Sequence, residues 1–173
     1  MGPDLRDDVH GALVVVRPET GEGAPRFAAM LAGMYRRWAG RHGYDVRLDE
    51  TRTADGAGIR EATLRVAAPA AFAALFDEQG THRLVWIPPT VEDGRRRTSL
   101  AAVEVGPLPE GPVPPHLPSA WGDQARSYVL HPYRMVKDLR TGHTEDDPDA
   151  VFAGGIDGFL DAAIRAGRSP GPA

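Results

Sequence analysis

No cysteine occurs in the 173 residues, which removes disulfides, thiolate nucleophiles and thiolate zinc sites together. Lysine is nearly absent as well: Lys137 is the single one among 20 basic residues, so almost all positive charge sits on planar guanidinium groups suited to phosphate and base contacts. The same arginine, alanine, glycine and proline richness also fits a GC-rich genome. No apolar run approaches the ~20 residues that span a bilayer, and the opening MGPDLRDDVHG has neither an apolar leader core nor a myristoylation pattern, so the expectation is a cytoplasmic protein with no membrane partner. The six histidines, at 10, 42, 82, 116, 131 and 143, are nowhere paired at helical metal spacing, and neither a metal nor a cofactor is expected. No Gly-x-Ser-x-Gly elbow surrounds Ser99, Ser119, Ser127 or Ser169, and no phosphate-cradling Gly-Lys-Ser/Thr is present. These absences lead to the expectation that the chain has no catalytic residues and is not an enzyme.

With 42% hydrophobic residues the chain is long enough to bury one ordinary core. Leu13–Val16 is a β-branched run that predicts a buried strand, and ETGEGAP (19–25) then leads into Phe27, Met30, Leu31, Met34, Tyr35 and Trp38 at helical spacing. Tyr44, Val46 and Leu48 alternate with charged residues, and Arg60–Val66 alternates again with Ala62, Leu64 and Val66 on one face, giving two half-buried strands. Pro69 opens a short helix that Gly80 closes. Thr81–Ile87 is a strand ended by Pro88-Pro89, and Leu100–Val105 is another. Further strands are expected at Arg126–Leu130 and Met135–Leu139, an acidic turn at Glu145–Asp149, and a last helix with Ile156, Phe159, Leu160, Ala163 and Ile164 on one face. The fold class predicted is α+β: a mixed, largely antiparallel sheet with helices packed on one face.

Two stretches stand apart from this pattern. Thr90–Arg97 holds Glu92, Asp93, Gly94 and the run Arg95, Arg96, Arg97, so burying it would require several partners; it is expected to project as a binding loop, stiffened by its prolines. A solvated turn explains it equally well. Gly106–Pro118 has six prolines in thirteen residues and is expected to act as an extended strap or linker rather than as a central strand.

Three segments carry a resemblance: MYRRWAGRHGYDV, then GTHRLV with the later RTS, and WGDQARSYVLHPYRMVKDLRTGHT. They resemble bacterial class I peptide chain release factors of the kind that reads UGA and UAA. The resemblance implies a codon-recognition region at 11–105, the strap at 106–118 in place of the family's catalytic domain, and a C-terminal segment at 119–167 that packs on the same domain. The family's Gly-Gly-Gln does not occur in the sequence, and with barely ten residues before the first strand the expectation is that the family's N-terminal helical domain is missing too. The family's codon-reading tripeptide falls at Pro88, Pro89 and Thr90, which departs from Ser-Pro-Phe of the UGA reader and is closer to Pro-x-Thr of the UAG reader. Its stacking histidine falls at Arg97, its threonine at Thr98, and its helix-tip glutamate at Gly23, with Glu22 one residue away.

The resemblance implies a hydrolysis-deficient protein that docks on the ribosome, meeting rRNA and mRNA in the decoding site, and modulates termination or marks stalled ribosomes. Two alternatives stay open. The fold can serve as a repurposed module binding a protein, an RNA or a small ligand elsewhere, or a separate protein partner can supply the hydrolytic domain, docked at the strap.

Overall fold

A computed structural model of the chain describes residues 10–89, 92–112 and 124–167. Eight strands form one sheet: β1 (Ala12–Pro18), β2 (Asp45–Arg52), β3 (Ile59–Ala67), β4 (Gly80–Trp86), β5 (Arg97–Pro107), β6 (Gln124–Val129), β7 (Met135–Asp138) and β8 (Thr144–Glu145). Four helices accompany them: α1 (Ala24–Arg41), α2 (Pro69–Leu75), α3 (Pro148–Phe152) and α4 (Asp157–Arg165). The strand order is β2-β3-β1-β5-β4-β6-β7-β8, antiparallel throughout except for β4 and β6. The α+β class with a mixed, mainly antiparallel sheet is therefore what the strand patterns predicted.

The core lies between the sheet and α1. Ala12, Val14 and Val16 of β1, with Ala101 and Val103 of β5, face Phe27, Leu31, Met34, Tyr35 and Trp38, all buried. Each large side chain buried this way contributes about 1.5–3 kcal/mol of transfer free energy before conformational entropy is subtracted. The C-terminal helices join the same core: the Trp38 indole donates to Asp157 Oδ1 at 3.0 Å. A Cβ at Gly154 would lie 2.8 Å from the Trp38 backbone nitrogen, so only glycine permits that approach.

Two local expectations change. β5 runs through Gly106 and Pro107, paired with Leu13 and Ala12, so the proline-rich stretch begins inside the sheet. Proline is tolerated there because Pro107 is the last residue of the strand. The acidic turn at Glu145–Asp149 is replaced by β8 and the start of α3, where the Asp147 side chain accepts from the Ala150 N–H at 3.2 Å and caps the helix.

Strand directions place the loops. β1 and β4 both run antiparallel to β5, and β6 runs parallel to β4, so their C-terminal ends lie at one end of the sheet. The chain leaves β5 and re-enters at β6 on the far side of β4, at the opposite end. The connection between them has only one strand to step across.

Candidate functional site

Four connections meet where β1, β4 and β6 end: residues 19–23 before α1, the 53–58 turn between β2 and β3, the 87–96 loop and the 130–134 turn. The ladder itself extends into them, with Glu19 N–H donating to Leu100 O and Leu100 N–H to Thr20 O, both at 2.8 Å, and Leu130 N–H to Val85 O at 2.9 Å. The 53–58 turn sits flush on the start of α1, since a Cβ at Gly58 would lie 2.4 Å from the Pro25 carbonyl carbon.

The tip of α1 is locked to the arginine loop. Gly23 caps the helix in the left-handed region at φ 84°, and a Cβ there would meet the Trp86 ring at 2.8 Å. Trp86 Nε1 donates to Ser99 Oγ at 3.0 Å, and Ser99 Oγ donates to the Glu22 carbonyl at 2.6 Å. Next to this chain of bonds the Arg97 guanidinium donates from Nε to Glu22 at 2.7 Å and from Nη2 to Asp93 at 2.5 Å. Its Nη1 donates to the carbonyl of Arg95 at 3.1 Å. The two carboxylates hold the Arg97 pKa above its usual value, and the Arg95 backbone N–H, followed by Arg97, pulls that of Asp93 down.

The residues singled out from the sequence therefore divide. Glu22, Gly23 and Arg97 come together, with Thr98 exposed beside them. Pro88 is buried at the root of the loop and Pro89 is exposed, while Thr90 lies outside the described residues. Arg95 and Arg96 are exposed, and among the described residues neither side chain has an acidic partner. Of the three adjacent arginines, two are open to a ligand and one is an internal clamp.

Sequence reasoning missed the polar cluster at the opposite end. Arg126, fully buried, donates to both oxygens of Glu78 at 2.7 and 2.5 Å and lies 4.2 Å above the Phe159 ring centroid. Tyr35 donates to Glu78 Oε1 at 3.1 Å, and Asp138 lies 3.6 Å from Arg126. His82, also fully buried, bonds Tyr128 Oη at 2.9 Å and the Glu78 carbonyl at 2.8 Å. Burial, with Arg126 nearby, drives its pKa down to about 4. Burial raises the Tyr35 hydroxyl well above its usual value, with Glu78 adding to the rise. Strand phase held a signal: Arg126 alternates with Tyr128, so both share the core-facing side. Much of the long C-terminal motif thus builds a buried scaffold.

Among the described residues no group of three or more His, Asp or Glu is placed to hold a metal ion, and no helix is long and apolar enough to cross a membrane. Fold and site together give one sheet that presents a helix tip and an arginine-bearing loop at a single end. The model of the PCRF domain matches residues 1–103. Peptide chain release factor 2 of Saccharopolyspora erythraea is 37% identical over 238 aligned positions, covering 91% of this chain and 65% of the relative. Its counterpart in Kineococcus radiotolerans is 36% identical, with the same coverage. RF2 of Thermus thermophilus superposes with a TM-score of 0.80 at 26% identity, over 92% of this chain and 69% of that one. The chain belongs to the PCRF-domain family of peptide chain release factors.

The chain spans about 65% of the length of the curated relatives it matches. An alignment of 238 positions exceeds its 173 residues, so the relative has positions with no counterpart here. The expectation that the chain is not an enzyme is overturned by these relatives, which are named for releasing peptide chains. Missing motifs were a poor basis for that expectation, because they record only what this sequence does not spell out.

Proposed function

We propose that the loop end of the sheet engages RNA in the ribosomal decoding site and that the protein acts in translation termination or at stalled ribosomes. The observation that carries this reading is the joining of the α1 tip to the 87–96 loop, in a chain whose relatives are release factors. Arg95 and Arg96 are the groups free to neutralise phosphates, and the exposed Pro89 and Thr98 are the positions open to a base; the resemblance adds Pro88, which is buried, and Thr90, which lies outside the described residues. Arg97 serves in this reading as the tie that keeps Glu22 and the loop at a constant separation. Residues 11–105 and 119–167 form one recognition unit in this reading; β5 runs on through Gly106 and Pro107, and the crossing to β6 begins after it, with residues 113–123 outside the described residues. A separate protein partner that docks at that crossing fits the same arrangement.

A second reading keeps the fold and moves its ligand elsewhere. Gly23 favours it: the resemblance places a glutamate there, yet the Trp86 ring fills the space a side chain would need.

Co-sedimentation with ribosomes carrying a stop or a sense codon in the A site, with a class I release factor as competitor, tests both. Stop-dependent binding that the competitor displaces supports a role in termination. Codon-independent binding supports a stalling role, and no binding moves the protein to the second reading. Peptide release measured on the same ribosomes reports whether occupancy is followed by the action for which the relatives are named.

A further inference from the structure

On the sheet face turned away from α1, Arg17 of β1 is paired with Glu61 at 2.8 Å and Glu104 at 3.0 Å, and Arg47 of β2 with Asp49 at 3.7 Å, whereas Arg65 of β3 has no acidic partner among the described residues. Toward β4, β6 and β7 the same face carries two further cations. Register aligns Arg83 with Ser127 and Ser127 with Lys137, so these three form one cross-strand row. Arg83 and Lys137 are exposed, and among the described residues neither has an acidic partner. The acidic residue of β7, Asp138, sits on the other face, paired in register with Arg126 and buried. No carboxylate of β4, β6 or β7 therefore shares this face with the two cations.

We infer that the Arg83–Ser127–Lys137 row is a second RNA-backbone contact, separate from the loop that the proposed function uses. Two strand spacings separate the cations by roughly 10 Å, a span over which a nucleic-acid backbone offers more than one phosphate. The Ser127 hydroxyl between them is a hydrogen-bond donor for a phosphate or sugar oxygen. Along β4 the row leads toward the arginine loop, and along β6 toward the 130–134 turn, where Tyr133 is 56% exposed and offers a ring on which a base can stack. Leaving these two cations unpaired brings no structural gain, whereas Arg17 on the same face is held by two carboxylates. RNA is favoured over an anionic membrane because the Ser127 hydroxyl lies between the charges in register and an exposed aromatic ring, Tyr133, follows at the end of the same strand.

This inference rests on the proposed function only in taking RNA as the ligand, and its test needs no ribosome. Binding of a short single-stranded oligouridylate to the full chain is measured against salt for the wild type, R83A/K137A and the charge-preserving R83K/K137R. Each phosphate contact contributes a slope of about 0.7 in log K against log salt for single strands, so the alanine pair should flatten the slope by about 1.4 while R83K/K137R keeps it. An unchanged slope in R83A/K137A overturns the inference, and so does failure of the wild type to bind the oligouridylate at low salt. Capture by phosphatidylserine vesicles that depends on Arg83 and Lys137, with oligouridylate binding untouched, overturns it in favour of a membrane surface. If programmed ribosomes do not bind but the slope falls as expected, the decoding-site reading fails and this one stands.

Discussion

Arg97 and Arg126 make the same bond in two different places. Each guanidinium grips a carboxylate from a distant part of the chain, Glu22 at 2.7 Å and Glu78 at 2.5 Å. Arg97 and Glu22 remain 25% and 52% exposed, whereas Arg126 and Glu78 are 0% and 3% exposed. Water screens the first pair, and salt weakens it further. The second pair has lost its hydration, so each ion depends on the other and on Tyr35 and the Phe159 ring. One end of the sheet is thus tied by a water-screened ion pair whose loss costs little stability, and the other by a pair that cannot open without unfolding.

The largest effect expected from this contrast is for Arg126→Met, which leaves the Glu78 carboxylate buried without its cation and should cost about 3–5 kcal/mol in urea unfolding. Pairing it with Glu78→Leu should recover most of that loss, and a double variant no better than the single would show that packing, not charge, dominates there. Next comes the pH dependence of the same cluster. His82 stays neutral in the fold down to about pH 4, while the unfolded chain takes up its proton near 6.5. The unfolded state therefore binds more protons between those values, and stability that is full above pH 6.5 should fall by about 3 kcal/mol as the pH drops to 4. A His82→Gln variant should show a flatter profile over that window, and parallel curves would remove His82 as the cause.

At the loop end the expected effects are smaller. Gly23→Ala places a Cβ at φ 84° against Trp86 and should cost about 1–2 kcal/mol for the backbone conformation alone. Trimming the indole with Trp86→Val should relieve the clash and leave the backbone cost. The smallest effect belongs to Arg97→Ala: its unfolding midpoint should stay close to that of the wild type, and the small difference should vanish at high salt. A loss comparable to that of Arg126→Met would erase the distinction between the two ends.

Much of this molecule could be read before its structure was known. Helical spacing from Phe27 to Trp38 marked α1, and alternation in 44–49 and 60–66 marked β2 and β3, because those elements each bury one face and the pattern records it. The arginine loop was legible as an exposed segment from its charge density. Its division was not, because the partner that removes Arg97 from the open surface, Glu22, lies 75 residues earlier in the chain. The Arg126 cluster escaped for a related reason: an arginine in a strand reads as a surface residue until Glu78, from the turn after α2, is brought against it.

By itself the sequence determined the identity and phase of most elements, the exposure of residues 92–96 and membership of the release-factor family, since these depend on local periodicity, composition and motif. The tertiary structure alone decided which cations are spent on internal carboxylates and which remain for a ligand. That choice depends on strand register and on contacts between residues 44 to 87 positions apart, as with Glu61 and Glu104 at Arg17, and no local pattern encodes them.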